Sequence, residues 1–301
     1  MTIPPAAVLA ADGRTMDSFM TWVGGKKSLR EEIVARFPLE YERYIEVFGG
    51  AGWVLFYKQP QSFEVYNDYN NNLVNLFRCV RDNPNKLKYK LRYYLDARED
   101  FRWLVSLHKR GLFARFRNYD RAAKFYAMVM YSYGHTLKGF NPKPYPLWSK
   151  FPLIDACAAR LQTVVVENLD FQKLIELYDR PVSFFYCDPP YYQTENFYKD
   201  VDFGRKDHIR LHDTLMACQG KFLISYNDCP EIRTLWADPG IMIESIERPN
   251  NLRQRYDAGC QYRELFISNY DTAERTKLQA TAYQQLPLWD IDRSEERRVG
   301  K

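Results

Sequence analysis

Apolar residues along the chain fall into short runs separated by segments with helical spacing. Residues 44–48 read as a strand ending in glycines, residues 53–59 as a short helix, and residues 62–66 as a second strand ending in Asn67-Asp68. These three form a β-α-β unit. Ahead of it, residues 1–18 hold prolines and small residues without periodicity and read as a mobile leader. A turn-like Trp22-Val23-Gly24-Gly25-Lys26-Lys27 follows, then a helix over 28–37 with Ser28 in capping position and Pro38 beyond its end.

A helix is expected from Asn70 to about Asp82, followed by a mostly helical stretch through Tyr133 that interrupts the alternation. Residues 134–152 read as a loop, because three prolines in Asn141-Pro142-Lys143-Pro144-Tyr145-Pro146 exclude regular structure. Five more strands are then expected at 161–167, 182–187, 221–225, 241–246 and 264–268, with helices between most of them. Seven strands alternating with helices predict an α/β fold with a doubly wound, mainly parallel sheet. Ligands of such sheets bind at the carboxyl ends of the strands, where the strand order reverses. The expected organisation is a leader (1–18), a catalytic domain (19–85 and 155–272), a helical insert (86–154) and a partly disordered tail (273–301).

A chain of 301 residues, 46% hydrophobic, can bury a full core. It contains no apolar run long enough to span a bilayer, and its first residues lack the pattern of a secretory signal, so a cytoplasmic chain without a membrane partner is expected. The six cysteines, Cys79, Cys157, Cys187, Cys218, Cys229 and Cys260, form no C-x-x-C pair and have no histidine at ligand spacing. That pattern argues for reduced thiols, with neither a disulfide framework nor a metal. The net charge of +5 is concentrated: residues 86–124 carry twelve Lys or Arg against four acids. Tyr89, Tyr93, Tyr94, Phe101, Trp103, Phe113, Phe116 and Tyr119 are interleaved with those cations. Such a segment suits nucleic-acid phosphates and bases, and equally a solvated helical subdomain whose rings face its own core.

Three segments carry candidate chemistry. In Glu46-Val47-Phe48-Gly49-Gly50-Ala51-Gly52 a strand runs into glycines that let backbone amides approach a nucleotide-like ligand, although a tight strand-to-helix turn looks the same. No Gly-Lys-Ser/Thr follows, which excludes a Walker loop. Asp68, at the end of the next strand, is placed to accept hydrogen bonds from ribose hydroxyls; a nicotinamide site uses the same device, and a turn aspartate is the plain alternative. The most specific segment is Phe184-Phe185-Tyr186-Cys187-Asp188-Pro189-Pro190-Tyr191-Tyr192, where a strand delivers a carboxylate, two prolines and a ring to the sheet edge. A flat base could donate one amine hydrogen to Asp188 and the other to the Pro189 carbonyl while stacking on Tyr191. A proline-stopped strand leading into a surface loop is the alternative. Methylation of a cytosine ring carbon needs a cysteine nucleophile, usually after proline, and no cysteine here follows one.

Taken together, these segments resemble the Dam-like (D12 class) adenine-specific DNA methyltransferases over roughly residues 22–270. The resemblance implies a Rossmann-like S-adenosylmethionine methyltransferase fold with a target-recognition insert, double-stranded DNA as partner, and S-adenosylmethionine as cofactor. It implies methyl transfer to the exocyclic amine of a flipped-out adenine. Asp188, Pro189, Pro190 and Tyr191 are the implied catalytic residues. Trp22, Lys26, Glu46, Phe48, Gly49, Gly50, Asp68, Asp170, Phe171 and Asp188 are the implied cofactor contacts, with Trp22 and Lys26 around the methionine part and Asp170-Phe171 flanking the adenine. Residues 222–227 and 263–269 look like the family's two late strands.

Two departures are visible. Thr21 stands where many members carry lysine, and the stretch from Tyr131 to Pro142 keeps Gly139-Phe140-Asn141 but loses the rest of the hairpin found in GATC-methylating members. The target sequence is therefore not implied. Serine in place of Asp188 would favour cytosine amines and asparagine would favour glutamine amides, so Asp188 points to adenine, in DNA or RNA. A DNA-binding subunit with a vestigial site is a further alternative, although all the motif residues are present. Near the end of the chain, Gln284-Gln285-Leu286-Pro287-Leu288-Trp289 resembles the short peptide that docks bacterial replication proteins on the sliding clamp; chance and packing against the domain also produce such peptides. The charged run 293–301 is expected to be disordered.

Overall fold

Seven strands form near the expected positions: β1 (Arg43–Glu46), β2 (Phe63–Asn67), β3 (Val164–Glu167), β4 (Ser183–Cys187), β5 (Lys221–Asn227), β6 (Met242–Pro249) and β7 (Gln261–Ser268); β3 starts three residues later than expected, because Leu161 still belongs to the preceding helix. The structure is a computed structural model that describes residues 15–192, 203–249 and 261–275. The leader up to residue 14, Cys260, the clamp-like peptide and the charged run at 293–301 lie outside them.

The strands join one sheet in the order β3-β2-β1-β4-β5-β7-β6. Neighbours from β3 through β5 are parallel, whereas β7 runs antiparallel to both β5 and β6. The chain winds outward from β1 to β3 and then returns to place β4 on the other side of β1. The strand order therefore reverses between β1 and β4, and the carboxyl ends of these two strands flank the switch point.

Alternate residues of each strand feed opposite faces, as a two-residue repeat requires. Tyr44, Tyr66, Phe184, Tyr186, Leu223 and Phe266 enter one core, while Ile45, Val65, Phe185, Cys187, Ile224 and Ile267 enter the other. The first core is covered by α1 (Arg30–Ala35), α2 (Trp53–Tyr57), α3 (Asn71–Asp82) and α7 (Phe151–Leu161); the second by α8 (Phe171–Tyr178), α9 (Arg205–Met216) and α10 (Pro230–Leu235).

The insert forms three helices, α4 (Pro84–Leu91), α5 (Arg98–Lys109) and α6 (Asn118–Met130). Its apolar residues join the first core without a break: Leu87, Leu104, Phe125 and Tyr126 belong to the same buried cluster as Tyr44 and Phe184. The Tyr126 hydroxyl, fully buried, donates to the Phe19 carbonyl at 2.8 Å. Many of the insert's rings are thus core, as the plainer reading of its aromatic content expected, whereas Tyr89, Tyr93 and Trp103 stay exposed.

Two helix starts differ from expectation. Ser28 does not cap α1, because a turn closed by Leu29 N–H to the Lys26 carbonyl at 3.1 Å intervenes and Leu29 takes the cap position. Helix α7 begins one residue before Pro152, because proline fits a first helical turn, where its missing N–H has no intrahelical acceptor.

Candidate active site

The carboxyl ends of β1 and β4 open into a cavity of about 550 Å³. Trp22, Lys26, Glu46, Phe48, Gly49, Gly50, Asp68, Asp170, Phe171, Asp188 and Pro190 all line it. Eleven positions read from scattered sequence segments are thereby brought to one place. Pro189 and Tyr191 do not line it: Pro189 is buried and Tyr191 is partly buried beside it.

The glycine loop is fixed by tight packing. A side chain at Gly49 would put its first carbon 2.2 Å from the Tyr66 ring, so glycine is required there by contact. Gly52, the residue ahead of α2, is left-handed at φ 68°. The Gly50 carbonyl accepts from the Tyr66 hydroxyl at 2.7 Å, and its N–H donates to Asp68 Oδ2 at 2.9 Å. Asp68 Oδ1 accepts from the Asn70 N–H at 2.7 Å. Burial pushes Asp68 up to about 6 despite those two backbone donors.

Glu46 ends β1 almost fully buried and accepts from the Tyr44 hydroxyl at 2.7 Å. Burial, opposed by Tyr44 and Lys58 and reinforced by the Asp188 charge, pushes it up to about 8.

Asp188 stands just past β4, its side chain 18% exposed. The Lys26 ammonium lies 2.6 Å from Oδ1, and the Ser225 hydroxyl donates to the same oxygen at 3.0 Å. Burial raises the Asp188 pKa, and Lys26 and Ser225 only partly offset it. Lys26 also donates to the Gly24 carbonyl at 3.3 Å and sits 4.7 Å from the centre of the Tyr191 ring. The Tyr191 hydroxyl donates to Glu264 at 2.8 Å. The ammonium thus lies between the carboxylate and the ring that the sequence assigned to a base amine.

At the far end of the cavity, Asp170 caps α8 by accepting from the Gln172 N–H at 3.0 Å. Arg210 on α9 grips it with two nitrogens, at 2.7 and 2.9 Å, and lies 3.9 Å from the centre of the Phe171 ring. Burial alone would raise the Asp170 carboxyl, but this grip holds it below its usual value. Phe48, Phe171 and Phe203 meet at ring separations of 5.7 to 5.9 Å and form an apolar wall.

The insert borders the other side of the cavity with His108 and Lys109 at the end of α5 and with residues 135–138. That turn is strained: His135 and Leu137 are left-handed at φ 57° and 60°, a conformation costing roughly 1–2 kcal/mol per side-chain-bearing residue. It is held by Leu137 N–H to Ser132 Oγ and Tyr133 N–H to the Gly139 carbonyl, both at 2.7 Å.

Sequence reasoning did not single out Ser225, Glu264, Phe203 or Arg210. Ser225 had a signal, a hydroxyl directly after the apolar run Phe222-Leu223-Ile224 of β5. Glu264 is near the amino end of β7, and the antiparallel pairing Asn227↔Glu264 brings that end to the site. A search confined to carboxyl ends passes over it.

Comparison with known proteins gives a consistent result. The sequence model of a family described as D12 class N6 adenine-specific DNA methyltransferase matches residues 22–254. The Type II methyltransferase M1.LlaDCHI of Lactococcus lactis subsp. cremoris is 27% identical over 282 residues, 84% of this chain and 95% of that protein. The DNA adenine methylase of Haemophilus influenzae is 27% identical over 274 residues, 82% and 91% of the two chains. The Type II methyltransferase M.MjaIII of Methanocaldococcus jannaschii is 26% identical over 226 residues, 64% of this chain and 77% of that protein.

Proposed function

The chain belongs to the D12 class of N6 adenine-specific DNA methyltransferases, and from that premise we propose that it moves a methyl group from S-adenosylmethionine to the N6 amine of an adenine turned out of duplex DNA. The observation that carries this reading is the Asp188 carboxylate, lining the same cavity as Glu46, the glycine loop and Asp68.

The cavity residues suit the cofactor. Asp68 offers a carboxylate to ribose hydroxyls while it holds the glycine loop, and the wall of Phe48, Phe171 and Phe203 suits a purine. Lys26 is the cation for the methionine carboxylate, and Trp22 encloses that end. S-adenosylmethionine supplies an electrophilic methyl group on a positively charged sulfur. The residues of the chain then have separate tasks. Asp188 accepts a hydrogen bond from the target amine and the Pro189 carbonyl accepts the second, so the nitrogen lone pair is drawn out of conjugation with the ring. Tyr191, anchored through Glu264, supplies a flat surface for the base once Lys26 withdraws from it. Positioning and electrostatics provide the rate gain, without a covalent enzyme intermediate.

Turning a base out of the stack costs a few kcal/mol, and phosphate contacts from the basic insert (86–154) offset it. Lys109 and Lys138 of that insert border the cavity and are the cations assigned to this work. On this reading the protein works in the cytoplasm of a bacterial or phage-infected cell.

The test uses cofactor carrying a labelled methyl group, with duplex DNA and RNA of matched sequence, followed by mass spectrometry of the nucleosides. Labelled N6-methyladenine in DNA, absent with Asp188→Asn, is the expected result. Label in RNA alone, or none in DNA from folded protein that binds the cofactor, would overturn the proposal.

A further inference from the structure

Asp188 is held asymmetrically. Among the described residues, both donors that meet its carboxylate, the Lys26 ammonium and the Ser225 hydroxyl, fall on Oδ1. They approach from different elements, Lys26 from the turn ahead of α1 and Ser225 from β5. Ser225 is fully buried, and the register pairing Cys187↔Ile224 puts it beside Asp188, one residue beyond the last paired position. A hydroxyl buried this deeply is costly unless it is hydrogen-bonded, and this one donates to Asp188.

We propose that Ser225 is a positioning residue for methyl transfer: by holding Oδ1, its hydroxyl fixes the carboxylate plane so that Oδ2 of Asp188 receives the target amine. The inference rests on the reading of Asp188 as the acceptor for that amine. Lys26 alone would leave the carboxylate free to rotate about the Oδ1 contact, and Lys26 is also the cation assigned to the cofactor's carboxylate. Once the ammonium turns to the cofactor, Ser225 remains as the contact that keeps Asp188 oriented. It also favours the ionised carboxylate, the form that accepts a hydrogen bond.

Among the described residues, the charged and titratable groups facing Asp188 are Lys26, Glu264, Glu46, Cys187, Tyr186 and Tyr191. The tyrosines and the thiol are raised by burial and stay neutral across the useful pH range, and Glu264 disfavours ionisation of Asp188. Loss of the Ser225 hydrogen bond therefore moves the acid limb of the activity profile to higher pH.

The experiment compares Ser225→Ala, Ser225→Thr and Asp188→Asn in the full chain, following kcat, KM for DNA and for S-adenosylmethionine, and the pH profile. For Ser225→Ala the expected result is a kcat lower by roughly 10- to 100-fold, as for a misplaced catalytic group. Both KM values stay within about a factor of two, the acid limb shifts upward, and Ser225→Thr recovers most of the activity. A Ser225→Ala enzyme with an unmoved acid limb, or with the loss confined to a lower melting temperature, would overturn the inference. Full activity in Asp188→Asn would instead sink the reading of Asp188 itself, so the two failures are distinguishable.

Discussion

Glu46 at the end of β1 and Asp68 at the end of β2 are both raised by burial, to about 8 and about 6, although each accepts hydrogen bonds. A carboxyl group raised in the folded state gives stability that is complete below its unfolded value and is lost as pH climbs through the folded one. For Glu46 that loss runs from 4.5 to about 8. Glu46→Gln cannot ionise, so the melting temperature of the ligand-free variant should fall less than the parent's between pH 6 and pH 9. Parallel curves would show that Glu46 is not buried uncharged.

The elements place these residues by simple rules. The glycine loop between β1 and α2 keeps its path because Tyr66 of β2 lies against Gly49. Gly49→Ala should cost about 1–3 kcal/mol, as overpacking does in a closed interior. Cofactor affinity, read by calorimetry, should drop by more than tenfold; near-normal binding would mean that the loop does not form the cofactor cradle. The existence of seven strands was legible from alternation alone, because strands buried on both faces must be apolar and the helices between them must restore polarity, whereas the strand order, and with it the place of the switch point, came only from the fold. The direction of β7 was not legible, since hydrophobicity is the same read either way, and Glu264 was hidden with it. Arg210 was equally silent: one arginine among the charges of α9 looks solvated until the fold sets it against Asp170 and Phe171. The family motif made Asp188 and Asp68 readable, whereas the contacts that tune them, Ser225 and the Gly50 N–H, come from distant or main-chain atoms.

At the scale of the whole molecule, the basic insert shares its core with the sheet that carries Asp188. Leu87, Leu104 and Phe125 of the insert are fixed in the same cluster as Tyr44 of β1, so the Lys109 and Lys138 positions are held relative to Asp188. Lys109→Ala and Lys138→Ala should each weaken DNA binding and lower the slope of log affinity against log salt by about 1, with cofactor affinity unchanged. An unaltered slope in both would move the phosphate contacts elsewhere. Among the described residues no helix is long and apolar enough to cross a membrane and no group of side chains could hold a metal ion. The chemistry assigned here draws only on the residues around the cavity. On the proposed function, Asp188 directs a methyl group to adenine in DNA. The most direct test is genome-wide detection of modified adenines in a methylation-free bacterial host that expresses this chain, beside the same host with Asp188→Ala. N6-methyladenine confined to one short sequence context, and absent with the variant, is the result predicted. Unmodified DNA despite soluble, cofactor-binding protein would contradict it.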